Sequence, residues 1–398
     1  MTNKVPGLEI ENRVIRLQSV IKSMELDGVF IMQNVDIFYF SGTIQISILF
    51  IPDQGQPVMM ALKSIERTKD ESPLEQIIPI ESRQNIPDVL ADLGIGSLRS
   101  VGLEIDVLPA YLYLWFRNTF KGCNFVDVSC AIRKVRMIKS LYEIDQIRAA
   151  ASILHKGFVG IAGIIREGMT ELEIDGHLGL IARKEGHMGI MRMRGWNQEM
   201  TYAHVLSGDS GSVISFLNSP QGGTGTTPAM AQGAGFRKVR RNEPIEIDYG
   251  AGMNGYLADQ SRTFVIGKLS KELERAHDCS KHILSCIVQK AKPGILCSEL
   301  YHLAVEKAAE NGYKDVFMGY GEGKVKFIGH GVGLEIDEFP LLAPHFDQEL
   351  MEGMVIAIEP KFVFPGKGVV GLEDVYLVTG NGLERLTLTE QKLMVIHI

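Results

Sequence analysis

The chain has 398 residues, of which 45% are hydrophobic and 22% are charged, and its 41 basic and 48 acidic residues give a net charge of −7. This composition is typical of a globular protein and excludes a disordered, collagen-like or disulfide-scaffold chain. The acidic balance also argues against nucleic-acid binding. At roughly 100–200 residues per domain, the length predicts two or three domains.

The cysteine pattern and the N-terminus indicate where the chain is found. The five cysteines form no Cys-x-x-Cys pair, which favours free thiols in a reducing compartment. The first residues, MTNKVPGLEIENRVIRL, carry charges where a signal peptide needs an apolar segment. No apolar run approaches the roughly 18–20 residues of a transmembrane helix. We therefore predict a soluble, cytoplasmic protein with neither membrane nor nucleic-acid partners.

The first third of the chain alternates between helix and strand patterns. Residues 9–27 carry apolar side chains at helical spacing, among them Ile10, Val14 and Leu17, and Gly28 follows as a stop signal. Short β-branched and aromatic runs then predict strands. These strands are Val29–Met32, Ile37–Phe40, Ile46–Ile51, Val58–Leu62, Ile77–Ile80 and Ser100–Ile105, and a further helix is Pro109–Phe120. The alternation predicts an α/β domain.

A basic connector marks the end of this domain. The segment IRKVRMIKS at 132–140 leads into YEIDQIRAAASILHKGF, which has alanine-rich helical periodicity. Such a charged connector is more typical of a solvated hinge than of an anion site. We place the boundary after residue 136, which gives domains of residues 1–136 and 137–398.

The second domain contains a weak internal repeat. The motif REGM at 166–169 and the motif KPGI at 292–295 lie 126 residues apart, and the same interval separates Gly186 from Gly312. The matches are few, so an accidental likeness of two helix starts is the alternative. We predict two pseudo-symmetric lobes with a site between them.

Residues 244–267 are typical of a β-hairpin that carries two carboxylates. Two apolar runs flank Asn254-Gly255, a strong turn signal. With this pair central in the turn, Asp259 faces Gly250, two positions along the strand from Asp248. A register slipped by two would place the aspartates directly opposite each other. In either register both carboxylates lie on one face, which favours a cation between them, although a single Asp beside a turn is commonly only a cap.

Glu359 and Glu373 form a second candidate pair. They are equidistant from Gly366 in a Pro-Gly turn, so a second hairpin can place them opposite each other. Apolar residues precede both, which favours a buried position. His330 lies in the motif GHGVG, whose glycines allow close backbone approach. A lone His is commonly structural, but beside four acidic residues it is the natural nitrogen ligand.

The combined set contains four carboxylates, one imidazole and no thiolate. Such a set suits two divalent ions such as manganese, cobalt, zinc or iron, whereas calcium or magnesium alone would not require the His. Two ions about 3.5 Å apart can hold a hydroxide between them and polarise a carbonyl. These residues therefore predict a dinuclear metal site.

The motifs resemble those of the pita-bread metallohydrolases, the family of methionine aminopeptidase, aminopeptidase P, prolidase and creatinase. The matching stretches are IEIDYGAGMNGYLADQSRTF, GHGVGLEIDEFP, GMVIAIEP and VGLEDVYLVT, together with IRKVRMIKSLYEIDQIRAAA and NVDIFYFSGT. The resemblance spans nearly the whole chain in the two-domain arrangement of prolidase, aminopeptidase P and creatinase. It implies an α/β creatinase-like N-terminal domain and an α+β, pseudo-two-fold pita-bread catalytic domain.

The resemblance also implies a role for each ligand. Asp248 would hold the first ion, His330 and Glu359 the second, and Asp259 and Glu373 would bridge them. Glu359 would also move protons, so it and His330 are the predicted catalytic residues. The two ions would be manganese, cobalt or zinc. Creatinase does not keep this ligand set for metal, so its retention here argues for a metalloenzyme.

Three positions differ from the proline-specific members of the family. Residues 207–233 contain no His where those enzymes carry one before the first Asp, and His204 lies just upstream of that place. Asp337 replaces a second His, and Gly371 replaces an Arg expected two residues before the last Glu. His204 and Asp337 are the candidate substrate-binding residues. Because such groups position substrate and assist proton transfer, these changes argue against strict Xaa-Pro specificity.

The resulting prediction is a metallopeptidase-type hydrolase with a bridging hydroxide as its nucleophile. The resemblance implies cleavage at an N-terminal residue or of a dipeptide, as by Xaa-Pro dipeptidase or aminopeptidase. One alternative is a non-peptidase amide hydrolase of a small molecule, resembling creatinase or ectoine hydrolase. Another is a catalytically silent binding protein. The family further implies a homodimer.

Overall fold

The computed structural model describes residues 4–397. The chain divides into two compact units, Met1–Arg136 and Met137–Ile398. Across the described part of the chain, no helix combines the length and the apolar character that crossing a membrane requires.

The first unit is built on a mixed six-stranded sheet with the order β4-β3-β2-β1-β5-β6. Its core includes Phe30, whose ring centroid lies 4.8 Å from that of Phe50 and 4.9 Å from that of Phe116. The helices are α1 Gly7–Ser23, α2 Asn34–Ser41, α3 Ile65–Glu71, α4 Ile86–Asp92, α5 Ala110–Thr119 and α6 Ser129–Met137. The strands are β1 Gly28–Ile31, β2 Ser47–Pro52, β3 Val58–Ala61, β4 Gln76–Pro79, β5 Ser100–Leu103 and β6 Asn124–Asp127. This arrangement confirms the predicted α/β class.

One predicted strand is wrong, because Ile37–Phe40 lies inside helix α2. The Gln33 side chain caps this helix by accepting from the backbone N–H groups of Val35 and Asp36, and Gly42 ends it at φ +80°. A short apolar run fits a buried helix as well as a buried strand, so its composition did not distinguish them. The caps at both ends favour the helix.

The second unit is built on a ten-stranded sheet whose main path is β11-β10-β12-β14-β9-β8-β7, while β13 and β15 pair with β14, and β16 with β9. Its helices are α7 Leu141–Ala162, α8 Glu171–Lys184, α9 Lys271–Lys290 and α10 Cys297–Glu310. Its strands are β7 Ala203–Ser207, β8 Ile245–Met253, β9 Tyr256–Ile266, β10 Gly329–Gly331, β11 Glu338–Leu341, β12 Val355–Ile358, β13 Lys361–Phe364, β14 Gly368–Thr379, β15 Gly382–Arg385 and β16 Met394–Ile396. Helix α7 packs on β8 and β9, and α9 packs on β13 and β14.

The internal repeat is present in the structure. Helices α8 and α10 are offset by 126 residues at both ends, and each packs against the helix before it. The turns that precede them contain Gly168 at φ +86° and Gly294 at φ +89°. The turns that follow them contain Gly186 at φ +96° and Gly312 at φ +80°. Equivalent glycines therefore adopt equivalent left-handed conformations, as the predicted pseudo-two-fold fold requires.

Candidate metal centre

A single row of paired residues crosses four neighbouring strands of the second unit. His204 on β7 pairs with Asp248 on β8, Asp248 pairs with Ser261 on β9, and Glu373 on β14 also pairs with Ser261. Residues in register across a sheet project to the same face. The sheet therefore gathers three candidate site residues from distant parts of the sequence.

The β8–β9 turn fixes the position of Asp259 beside this row. Asn254 and Gly255 form the turn at φ +51° and φ +93°, and Asp259 pairs with Gly250. The unslipped register is therefore confirmed, and the alternative in which the two aspartates face each other is wrong. Asp259 lies two residues before Ser261 on β9, so its side chain projects to the same face as the row.

Glu359 lies next to this row of paired residues, at the end of β12. The β12–β14 ladder pairs Ile358 with Asp374, and the β13–β14 ladder pairs Lys361 with Gly371. The same register places Glu359 opposite Glu373, at the break between β12 and β13. The break follows from Pro360, which has no backbone N–H to donate to a ladder.

His330 is oriented by hydrogen bonds to one ring nitrogen. Its Nδ1 lies 3.1 Å from the Gly331 carbonyl oxygen and 3.3 Å from Asp337 Oδ1, while its Nε2 lies 3.9 Å from Oε1 of both Glu359 and Glu373. An Nδ1–H that donates to these oxygens leaves the Nε2 lone pair toward the carboxylates. Burial would lower the pKa of His330, but these three carboxylates raise it above its ordinary value.

Three of the five predicted ligands present atoms that one ion could reach. Ligand atoms of Asp259, His330 and Glu373 lie within 4.8 Å of one another. Glu373 Oε1 is buried and has no hydrogen-bond partner. A buried carboxylate oxygen without a partner is costly unless a cation satisfies it. Two carboxylates and one imidazole therefore fit a divalent ion such as manganese, cobalt or zinc.

The other side of the site contains Lys361, which is not among the residues predicted from the sequence. Its Nζ lies 2.8 Å from Asp248 Oδ2, 2.8 Å from Glu359 Oε2 and 3.0 Å from Glu373 Oε2. The side chain is 1% exposed. A signal was available, because Lys361 begins the otherwise apolar run KFVF two residues after Glu359, on the same strand face.

The charges of the site divide it into two sides. Burial alone would lower the pKa of Lys361, but Asp248, Glu359 and Glu373 raise it well above its ordinary value. Burial would raise the pKa of Asp248, yet Lys361 holds it below its ordinary value. Burial and the charge of Glu373 raise the pKa of Asp259 well above its ordinary value, and burial raises that of Glu373 to about 8. Asp259 and Glu373 Oε1 therefore form the side where positive charge is lacking.

The predicted substrate residues lie around the same cavity. His204 is buried, with Nε2 3.3 Å from Gln232 Oε1, and burial lowers its pKa. Asp337 also lines the cavity and is 43% exposed. Gln221, from the segment that lacks the expected His, donates from Nε2 to Asp248 Oδ2 at 2.7 Å. No spacing pattern in the sequence marks Gln221 as a site residue.

Apolar side chains also line the cavity. They include Met191, Met200, Tyr202 and Ile336. Gly250 leaves space for Met191, because a Cβ at residue 250 would clash with the Met191 side chain. The cavity lining therefore combines charged and apolar side chains, which suits a small molecule that has both a polar bond and an apolar part.

These features agree with the family comparisons. Residues 145–380 match metallopeptidase family M24, and residues 13–138 match the creatinase/prolidase N-terminal domain. The chain belongs to family M24 and is a metallopeptidase-type hydrolase, for which the family implies divalent metal ions. The predicted two-domain pita-bread family is thereby confirmed.

Its relatives include two archaeal Xaa-Pro dipeptidases. That of Pyrococcus furiosus is 29% identical over 384 residues, covering 95% of this chain and 99% of the relative. That of Pyrococcus horikoshii is 30% identical over 387 residues, covering 95% of this chain and 98% of the relative. The solved prolidase structure from P. horikoshii OT3 matches with a TM-score of 0.80 at 26% identity, covering 96% of this chain and 99% of that one. The Xaa-Pro dipeptidase structure from Bacillus anthracis shares the fold, with a TM-score of 0.83 at 24% identity. The match covers 97% of this chain and 99% of that one.

Proposed function

We propose that this chain is a metal-dependent dipeptidase that hydrolyses the peptide bond of Xaa-Pro dipeptides. The observation that carries the proposal is the convergence of Asp259, His330 and Glu373 on one point of a cavity. The Xaa-Pro dipeptidase relatives match over nearly their whole length, which supports the same class of substrate. Residues 137–398 would form the catalytic domain and residues 1–136 the creatinase-like domain.

Asp259, His330 Nε2 and Glu373 Oε1 would hold the metal ion. When bound, a divalent ion such as manganese, cobalt or zinc polarises the scissile carbonyl and activates water for attack on it. The sequence predicts two ions with a bridging hydroxide, and the further donors of that arrangement are Asp248 and Glu359. Both of these carboxylates contact Lys361 in the structure.

Glu359 is positioned to move the proton. Its Oε2 accepts from Lys361 Nζ at 2.8 Å, and its Oε1 lies 3.9 Å from His330 Nε2. Oε1 is therefore the oxygen that can take a proton from the attacking water and return it to the leaving nitrogen. Asp337, a partly exposed carboxylate at the cavity, is suited to bind the free amino group of a dipeptide.

A specific observation supports a second candidate, a hydrolase of a small non-peptide amide. The segment that contains Gln221 lacks a His that the resemblance predicts, and Asp337 and Gly371 replace a His and an Arg. An amide and a carboxylate bind different substrate groups from an imidazole or a guanidinium. The charged end of the substrate is thus the part that differs between the two candidates, while the metal chemistry stays the same.

The test is a substrate panel with the full chain loaded with manganese or cobalt. Xaa-Pro dipeptides, non-prolyl dipeptides, Xaa-Pro-Yaa tripeptides, and cyclic or guanidino amides are compared by kcat/KM. We expect the Xaa-Pro dipeptides to be cleaved best and Glu373→Ala to abolish that activity, with exposed Glu384→Ala as the matched control. Exclusive cleavage of a non-peptide amide would instead establish the second candidate. The homodimer and the cytoplasmic location stay predictions.

A further inference from the structure

We propose that the Lys361 ammonium permanently occupies the place of one metal ion, so that this chain binds a single divalent ion at Asp259, His330 and Glu373. The inference rests on the metal dependence of the proposed function, not on its substrate. It differs from the two-ion site that the sequence predicts. It follows from which carboxylate oxygens are already engaged and which are free.

The engaged oxygens all face the lysine. Lys361 Nζ makes contacts of 2.8–3.0 Å with one oxygen each of Asp248, Glu359 and Glu373. Asp248 Oδ2 also accepts from Gln221 Nε2 at 2.7 Å. An ion that bound all three of these oxygens at the roughly 2.0–2.2 Å of a metal–carboxylate bond would take the space of the ammonium. Asp248 Oδ2 is thus committed to two nitrogen donors.

Donor atoms of three residues outside these lysine contacts lie close together. Glu373 uses Oε2 for Lys361 and leaves Oε1 buried without a partner. His330 Nε2 lies 3.9 Å from that same Oε1. With Asp259, these atoms form the single group of acidic and imidazole ligands identified in the described residues. Glu373 therefore contacts Lys361 with one carboxylate oxygen and offers the other oxygen to the proposed ion.

The fold provides a route for the lysine. Lys361 pairs across the β13–β14 hairpin with Gly371, and a Cβ at 371 would lie 2.7 Å from Lys361 Cγ. The absence of a side chain there lets the lysine cross the strand toward the carboxylates.

The experiment measures metal stoichiometry rather than activity. The full chain is stripped of metal and titrated with Mn²⁺ by calorimetry, with elemental analysis and electron paramagnetic resonance of the product. We expect one ion per wild-type chain with an isolated Mn²⁺ signal. Lys361→Met, which keeps the length of the side chain without its charge, should bind two ions and show the exchange coupling of a pair. Lys361→Met is purified with Mn²⁺ present to help it fold.

Lys139→Met is the matched control, because Lys139 is also 1% exposed and its Nζ lies 2.8 Å from Glu338 Oε2. It should keep one ion. Two ions bound to the wild-type chain would overturn the inference whether or not Lys361→Met folds. A single ion bound to folded Lys361→Met would also overturn it. So would two ions bound to Lys139→Met. One ion without Xaa-Pro cleavage would overturn only the proposed substrate, and no ion would overturn both proposals.

Discussion

Lys361 and Gly371 are cross-strand partners, and the side chain of the first passes over the second. A Cβ at residue 371 would lie 2.7 Å from Lys361 Cγ and 2.9 Å from both Lys361 Cα and the Pro360 carbonyl oxygen. Two of these three neighbours are backbone atoms, which cannot move without shifting the hairpin. The missing side chain at Gly371 is thus a condition for the position of the lysine.

Gly371→Ala should therefore destabilise the chain by about 1–3 kcal/mol, the usual cost of overpacking a buried site. Urea unfolding followed by circular dichroism measures this change. Gly176→Ala is the matched control, because Gly176 lies in α8 with no atom within 4 Å of its added Cβ. That substitution should stabilise by roughly 0.5–1 kcal/mol. Equal effects of the two substitutions would contradict the packing argument.

Asp337→Ala should weaken metal binding without unfolding the protein. Asp337 Oδ1 lies 3.3 Å from His330 Nδ1 and helps to hold the ring with Nε2 toward the site. Loss of such an orienting partner typically costs about 10–100-fold in metal affinity. We expect the low end of this range, because the Gly331 carbonyl also lies within hydrogen-bond distance of Nδ1. Calorimetry with Mn²⁺ measures it, with exposed Asp92→Ala as control, and an unchanged Kd would contradict the prediction.

Asp374→Ala should be strongly destabilising, because it would leave a buried guanidinium without its carboxylate. Asp374 Oδ1 accepts from Arg262 Nη2, Gln260 Nε2 and Thr387 Oγ1, each at 2.7 Å, and both charged side chains are 0% exposed. Breaking a buried ion pair from one side costs about 3–5 kcal/mol.

Arg262 also donates to the Glu373 carbonyl oxygen at 2.8 Å, so the same substitution should weaken metal binding. Chemical denaturation measures the loss of stability. Glu384→Ala, which removes an exposed partner of Arg148, should change stability by at most roughly 1 kcal/mol. Comparable losses in the two variants would show that the Asp374 network contributes little.

Asp175 should make the stability of the chain depend on pH. Burial raises the pKa of Asp175 from 3.8 to about 6, and its Oδ1 is buried without a hydrogen-bond partner. Below the lower value both folded and unfolded states carry the proton. As the pH rises from 3.8 to about 6 the unfolded state releases its proton first, so stability is lost across this interval.

Asp175→Asn should remove this loss, stabilising the chain by about 1–3 kcal/mol at pH 8 and hardly at all near pH ~3.5. Thermal or urea unfolding at several pH values measures the difference between variant and wild type. Exposed Asp92→Asn should show no such trend. A gain for Asp175→Asn that is the same at every pH would mean that its titration is not responsible.

The sequence by itself determined the family, the two-domain class and the local elements that carry the site. Asn254-Gly255 specified one hairpin and Gly366 the centre of another, because turn chemistry and strand period act over a few residues. The interval of 126 residues similarly predicted the paired helices α8 and α10. The short run Ile37–Phe40 was misassigned, because its hydrophobicity does not distinguish a buried helix from a buried strand.

Only the tertiary structure determined which charged groups the five predicted ligands contact. The sequence places Asp248 and Glu359 among the ligands, but the structure directs one oxygen of each toward Lys361 Nζ. The reason is that the contact between Lys361 and Asp248 joins residues 113 positions apart in the chain. Its existence depends on the pairing of four strands and on the space above Gly371, neither of which is a local property of the sequence.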